Sequence, residues 1–230
     1  MKFRSDVTVD LIDRMGSESS IVRAARVSTL GTRACAEESK GLLAYLYRSG
    51  HASPFEHVTL TFRVEAPIFV TREMLRHRLS SFNEESGRYR ELDGVFYVPR
   101  PGRPLVQVGK VGEYRFTAGT PDQGRLTRGL IRIASAVSWT IYRRLLRLGI
   151  AREVARLVLP VNLYSTIYYT ANLRSLLNFL SLRADWGEAA ANRSKPQDEI
   201  QQVATLIAAY VQHHYPTVWA AFVAKGYQAV

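Results

Sequence analysis

His57-Val58-Thr59-Leu60-Thr61-Phe62-Arg63-Val64-Glu65-Ala66 puts Val58, Leu60, Phe62, Val64 and Ala66 at every second position. Successive side chains of a strand point to opposite faces, so the spacing predicts a half-buried strand. Pro67 ends it. Downstream, Ile68 to Leu79 reads as a helix with Phe69, Met74 and Leu75 on or near its apolar side. Upstream, Glu37 to Ser49 carries Leu42, Leu43, Leu46 and Tyr47 and stops at Gly50, a helix with a glycine terminator. Further upstream, Ser19 to Val27 reads as a short helix with a serine cap, and Asp6 to Ile12 alternates as a strand.

Beyond residue 79 the same reading continues. Ser80 to Glu84 forms a polar turn, and Ser86 to Val98 reads as extended, since Tyr89, Phe96, Tyr97 and Val98 favour strands. Residues 99–124 hold four prolines and five glycines and predict a long loop, with a hairpin around Gly109–Gly112. Leu126, Leu130, Ala134, Val137, Ile141, Leu145 and Leu148 are spaced at three and four residues, the strongest helical pattern in the chain, closed by Gly149. A short helix follows at Arg152–Leu159, then a strand at Tyr164–Thr170 and a helix at Ala171–Ala184. Residues 185–197 are a polar loop, and Asp198 to Phe222 is a last helix that Pro216 kinks or breaks. The expected fold is α+β: one mixed α/β domain over 1–230, with a small antiparallel sheet, several long helices and loop excursions at 99–124 and 185–197.

Of the 230 residues, 47% are hydrophobic and 22% charged, enough for a real core and against disorder over the whole length. No apolar run approaches a membrane span. Met1 to Asp6 lacks an apolar stretch, and Cys35 is the single cysteine, so a reduced, cytoplasmic setting is expected. The net charge is +11, from 31 basic and 20 acidic residues. Arginine dominates the basic residues, with 26 Arg against 5 Lys. Its planar fork suits bidentate grips on phosphate, so phosphorylated ligands are expected. Nucleic acid and phosphate-bearing small molecules are equal candidates on charge alone.

The chemistry concentrates in Arg76-His77-Arg78-Leu79-Ser80-Ser81-Phe82-Asn83-Glu84-Glu85-Ser86-Gly87-Arg88-Tyr89. Arginines at this density make an anion site, and Gly87 would let a bound group approach the backbone. The bland reading is a solvated helix end whose cations offset the helix dipole. His51, His57 and His77 match no usual zinc spacing, and no metal is expected. The arginines at 125, 128, 132, 143, 144 and 147 fall largely off the apolar stripe, as on a solvated or subunit-facing surface. Tyr164 to Tyr169 could stack bases, but core packing is the simpler account.

The segment Arg76–Tyr89 resembles the signature of the flavin-dependent thymidylate synthases, RHRxxSxNExSxRY, at every fixed position. His51-Ala52-Ser53-Pro54-Phe55-Glu56-His57 is similar to that family's HxxPFEH segment. Arg152-Glu153-Val154-Ala155-Arg156 through Leu159-Pro160 is similar to its REVAR…LP segment. Asn172 to Phe179 and Leu182-Arg183-Ala184 resemble its NxRSLxNF…LRA segment. The stretch at 99–124 is longer than the linker of compact members, and 185–197 lacks the histidine often found after LRA. Glu73 stands where some members carry glutamine.

The resemblance implies an enzyme that makes dTMP from dUMP, with methylenetetrahydrofolate as one-carbon donor and FAD reduced by NADPH. It implies a homotetramer with shared active sites. By position, FAD would contact Ser53, Arg76, His77, Arg78, Glu84, Asn172, Arg174 and Asn178. The dUMP site would use Glu73, Arg76, Glu84, Glu85, Ser86, Gly87, Arg88, Arg156 and Arg183. Arg88 and Arg156 are the natural phosphate clamps, and Arg183, as the catalytic residue, would face the pyrimidine and help ionise N3. Cys35 lies far from the motifs and Ser86 has no adjacent base, so a mechanism without a cysteine nucleophile is expected. The alternative is a basic nucleic-acid-binding module whose arginine clusters hold phosphate.

Overall fold

The computed structural model describes residues 1–31, 40–111, 113–191 and 194–230. Its strands are β1 (Lys2–Arg4), β2 (Thr8–Met15), β3 (Thr59–Pro67), β4 (Ser80–Glu84), β5 (Val95–Tyr97), β6 (Val106–Val108), β7 (Arg115–Thr117) and β8 (Tyr164–Asn172). Its helices are α1 (Glu18–Leu30), α2 (Lys40–Arg48), α3 (Ile68–Met74), α4 (Pro121–Arg147), α5 (Arg152–Ala155), α6 (Leu173–Arg183), α7 (Asp198–His214) and α8 (Pro216–Ala224). Cys35, the start of the helix expected from Glu37, and Gly112 lie outside the described residues. Two compact units result. A sheet unit holds residues 7–65, 70–84 and 166–230, and a second unit holds 1–6, 66–69 and 85–165.

The sheet unit is built on four strands in the order β2-β3-β8-β4. β2 runs antiparallel to β3 from Thr8↔Glu65 to Met15↔Thr59, with a register shift between Leu11 and Asp13. β4 runs antiparallel to β8 from Ser80↔Ala171 to Glu84↔Ile167. The alternation in β3 has its expected result: Val58, Leu60, Phe62, Val64 and Ala66 are all fully buried. Tyr169 stacks on Phe82 with centroids 5.2 Å apart, and Phe62 lies 6.4 Å from Tyr169. Leu173, Leu176, Leu177, Phe179 and Leu180 of α6 are fully buried, and α6 packs on α7. Each such side chain contributes roughly 1.5–3 kcal/mol by leaving water. Pro216 does break the last helix: Tyr215 separates α7 from α8, and Pro216 takes the first helical position. Glu18 Oε1 then accepts the N–H groups of Thr217 at 2.6 Å and Val218 at 2.9 Å, a carboxylate on the helix N-terminus.

In the second unit β1 and β5 form a parallel pair, and β6 and β7 an antiparallel hairpin. Thr120 caps α4: its Oγ1 accepts from Gln123 N at 3.2 Å, and its own N–H donates to Gln123 Oε1 at 2.8 Å. Trp139 covers Gly94, where a Cβ would stand 2.7 Å from the indole. Leu92 N–H donates to the buried Tyr142 hydroxyl at 3.0 Å.

Three expectations need correction. The helix from Ile68 stops at Met74, not Leu79, because His77 N–H bonds back to Met74 O in a tight turn and Ser80 onward is claimed by β8. The polar turn at Ser80–Glu84 is an edge strand, a position that tolerates polar side chains. Extended structure within 86–98 is confined to Val95–Tyr97, since Tyr89 and Arg90 both donate to Ser86 O in a local turn. α4 is the helix that its spacing predicted, and its apolar stripe faces outward: Leu126, Leu130 and Ile141 are 63%, 56% and 44% exposed, and the buried positions are Gly124, Ser135 and Tyr142. The loop at 99–124 carries the expected hairpin as β6 and β7, and its last residues, from Pro121, form the first turn of α4.

Candidate active site

A cavity of about 580 Å³ opens within the sheet unit. The turn after α3 supplies Arg76, His77 and Arg78 to it, and α6 supplies Arg174, Ser175, Asn178 and Arg183. α6 is amphipathic, and Arg174, Asn178 and Leu182 fall at every fourth position on its exposed side, opposite the buried leucines. Asn172 also lines the cavity and caps the helix, its Oδ1 accepting from Ser175 N at 2.8 Å. Arg174 Nη1 donates to Glu56 Oε1 at 2.5 Å. Among the described residues, Arg76 and Arg78 have no carboxylate partner.

At the far end of α6, Arg183 ties two elements together. Its Nε donates to His77 Nε2 at 3.1 Å, and its Nη1 donates to Glu73 Oε2 at 3.3 Å. A guanidinium has only donors, so His77 Nε2 is the acceptor, and the imidazole is neutral with its proton on Nδ1. Burial first, then the Arg183 charge, pushes the His77 pKa down to about 4. His77 packs edge-on against Phe179, with centroids 4.9 Å apart. Burial raises the Glu73 carboxyl, Arg183 pulls it down, and the charge of Glu199 raises it again. Arg183 Nη2 is left without a partner among the described residues. The arrangement is a fixed, partly buried cation beside a cavity rimmed by guanidinium groups. Chemically it can hold a polyanionic ligand and stabilise negative charge that develops next to it.

The second unit has its own cationic cluster. Arg88 Nε donates to Glu153 Oε2 at 3.0 Å, and Arg88 N–H donates to Ser86 Oγ at 3.2 Å. The space above Gly87 is filled from within the chain: a Cβ there would meet Leu92 Cδ1 at 2.8 Å and Arg156 Cδ at 3.2 Å. The close approach expected of a ligand at Gly87 is thus made by Leu92 and Arg156. Arg88 reaches Glu153 of α5, and Arg156 lies against Gly87, so the turn at 86–90 packs beside α5 and the residue that follows it.

A profile of the family described as "Thymidylate synthase complementing protein" matches residues 10–217. The chain belongs to the flavin-dependent thymidylate synthase family. The "Flavin-dependent thymidylate synthase" of Tropheryma whipplei is 48% identical over 229 residues, covering 97% of this chain and 95% of the relative. That of Streptomyces avermitilis is 48% identical over 231 residues, covering 97% and 94%. A solved structure, the UMP/dUMP methylase PolB of Streptomyces cacaoi bound with 5-Br UMP, superposes with a TM-score of 0.93 at 46% identity, over 100% of both chains. The chain is therefore an enzyme of this family, with a mixed α/β fold.

The flavin-dependent thymidylate synthase motifs map onto the structure unevenly. Of the expected flavin residues, Arg76, His77, Arg78, Asn172, Arg174 and Asn178 converge on the cavity. Ser53 opens the short turn Ser53–His57 and Glu84 ends β4, accepting from Thr71 at 3.4 Å; neither lines the cavity. Of the expected dUMP residues, Arg76 and Arg183 line the cavity and Glu73 touches Arg183. Glu85, Ser86, Gly87, Arg88 and Arg156 belong to the second unit. Sequence reasoning missed Glu56, Ser80, Ser175, Ala229 and Val230 as wall residues. Glu56 and Ser175 sit inside quoted motifs, so they could have been found; Ala229 and Val230 carry no local signal. Among the described residues, no three His, Cys, Asp or Glu side chains could hold a metal, and no helix is long and apolar enough to cross a membrane.

Proposed function

We propose that this protein converts dUMP to dTMP, taking the one-carbon unit from methylenetetrahydrofolate and using FAD reduced by NADPH, as a cytoplasmic homotetramer and without a cysteine nucleophile. The observation that carries the reading is the cavity, where Arg76 and Arg78 have no carboxylate partner among the described residues and Arg183 is clamped between neutral His77 and Glu73. Two unpaired guanidinium groups suit the diphosphate of a flavin dinucleotide, and Leu182 and the exposed Leu79 offer its ring apolar contact. Bound there, FAD would supply hydride chemistry that no side chain provides.

The chain's own residues bind and polarise. Asn172, Arg174 and Asn178 hold the flavin together with Arg76, His77 and Arg78; Ser53 and Glu84 are assigned to it by position. Arg183 Nη2 presents a donor to the pyrimidine, where a fixed cation favours loss of the N3 proton and activates the ring. Glu73 orients Arg183 and so bears on dUMP through it. Arg88 and Arg156 take the phosphate, while Glu85, Ser86 and Gly87 shape the turn that presents Arg88. The solved relative PolB is described as bound with 5-Br UMP and with 5-Br dUMP, which supports a pyrimidine monophosphate as substrate here. Family membership accounts for the arginine surplus without a nucleic-acid partner.

The test is a visible spectrum of the purified protein together with tritium release from dUMP labelled at C5. A bound flavin and folate-dependent release with NADPH are expected. A colourless protein that releases no tritium after FAD is added would refute the assignment.

A further inference from the structure

Ala229 and Val230 form part of the cavity wall, and several contacts in the sheet unit put them there. After α8, Gly226 turns the chain at a φ of +64°, and Ala191 N–H donates to Gly226 O at 2.9 Å. Tyr227 follows at a φ of +57°, the one non-glycine among the described residues in that region. An L side chain there crowds its own backbone, so the conformation persists only where its surroundings enforce it. Trp186 enforces it: the two rings stack with centroids 4.3 Å apart and planes 2° apart. Trp186 is itself fixed, its Nε1–H donating to Leu180 O at 3.0 Å. One residue on, the Tyr47 hydroxyl donates to Gln228 O at 2.8 Å, and the Lys225 ammonium lies 5.6 Å from the centre of the Tyr47 ring. Backbone strain held by surrounding contacts is characteristic of ligand clamps.

We propose that residues 225–230 are a positioning element of the flavin cavity, in which the Trp186–Tyr227 stack and Tyr47 hold Ala229 and Val230 as a wall against the cofactor. The inference rests on the reading of the cavity as the flavin site. It also gives a purpose to Trp186 in the 185–197 stretch, which departs from the usual family pattern. Trp186 anchors the wall from behind, three residues beyond Arg183.

The test titrates flavin-stripped protein with FAD and follows flavin fluorescence, alongside thermal melting. Tyr227→Ala should raise the Kd about tenfold or more with little change in melting temperature. Tyr227→Phe keeps the ring and should bind as wild type. Ala229→Trp leaves the anchors intact, crowds the wall, and should weaken binding at least as much. If Tyr227→Ala fails to fold, Ala229→Trp decides alone. Wild-type affinity in folded Tyr227→Ala and Ala229→Trp would overturn the proposal while leaving the flavin site standing. No saturable FAD binding by the wild type would overturn both.

Discussion

α4 and α7 carry the same kind of sequence pattern and meet opposite fates. In α7, Ile200, Val203, Ala204, Ile207 and Val211 are fully buried. In α4, Leu126, Leu130, Val137 and Ile141 stand exposed, and the helix rests on its own unit through Ser135 and Tyr142. The units around them differ in charge as well. The second unit has 16 basic and 7 acidic residues, a surplus of 9 out of the chain's +11. The sheet unit has 15 and 13, so it is nearly neutral and closes its own core. Helical periodicity reveals which face is apolar, but not whether the cover for that face comes from the same chain. An uncovered apolar stripe of this length is what the proposed homotetramer would bury.

The contrast can be broken most directly by placing one carboxylate on each helix. Ile207→Asp buries an unpaired charge at a cost of several kcal/mol and should abolish cooperative melting. Leu130→Asp should leave the circular dichroism intact but shift sedimentation to species smaller than the wild type. An unchanged sedimentation profile would mean that α4 is not the assembly surface.

Within the sites, the two units again predict different losses. Arg183→Ala in the sheet unit removes the donor proposed to face developing charge, so on that proposal turnover should fall about a hundredfold or more while flavin stays bound. Activity within a few-fold of wild type would refute the N3-ionising role. Arg88→Lys in the second unit replaces a fork with a point charge and should raise the dUMP Kd about tenfold by calorimetry. Unchanged affinity would count against the phosphate clamp.

The smallest expected effect is a pH dependence confined to the sheet unit. Folded, His77 stays neutral down to about pH 4, whereas its ordinary pKa is 6.5. Between those values the unfolded chain binds more protons, so this contribution to stability is present above pH 6.5 and is lost as pH falls toward about 4. Glu73 acts in the opposite sense: its raised carboxyl takes up a proton sooner when folded, which adds stability as pH drops. His77→Gln removes the first effect and keeps the second. The wild type should therefore lose denaturant stability relative to the variant across that window, and parallel curves would show that His77 does not titrate there.

Much of this was legible in the chain. The strand at 57–66 and the helix at 171–184 follow from apolar spacing, because burial of one face is a local demand on sequence. Pro216 announced its break for an equally local reason, a missing N–H. Ser80–Glu84 was misread because an edge strand keeps its polar side chains, and Phe82 alone reports the buried side. The arginines that line the cavity sit in segments that the motif resemblance singled out, but the partners that fix Arg183 were not legible. Glu73, His77 and Arg183 are 106 to 110 residues apart in their two contacts, and no periodicity spans that distance.

The sequence by itself determined most of the element types, the arginine-rich chemistry and the family, since each depends on neighbours within a few turns or on motifs read in order. Only the tertiary structure decided that α4 turns its leucines outward, that Arg183 is held between a neutral imidazole and a carboxylate, and that Ala229 and Val230 wall the cavity. Those outcomes depend on which distant segments pack together, and packing is a property of surfaces that form only after the chain has folded.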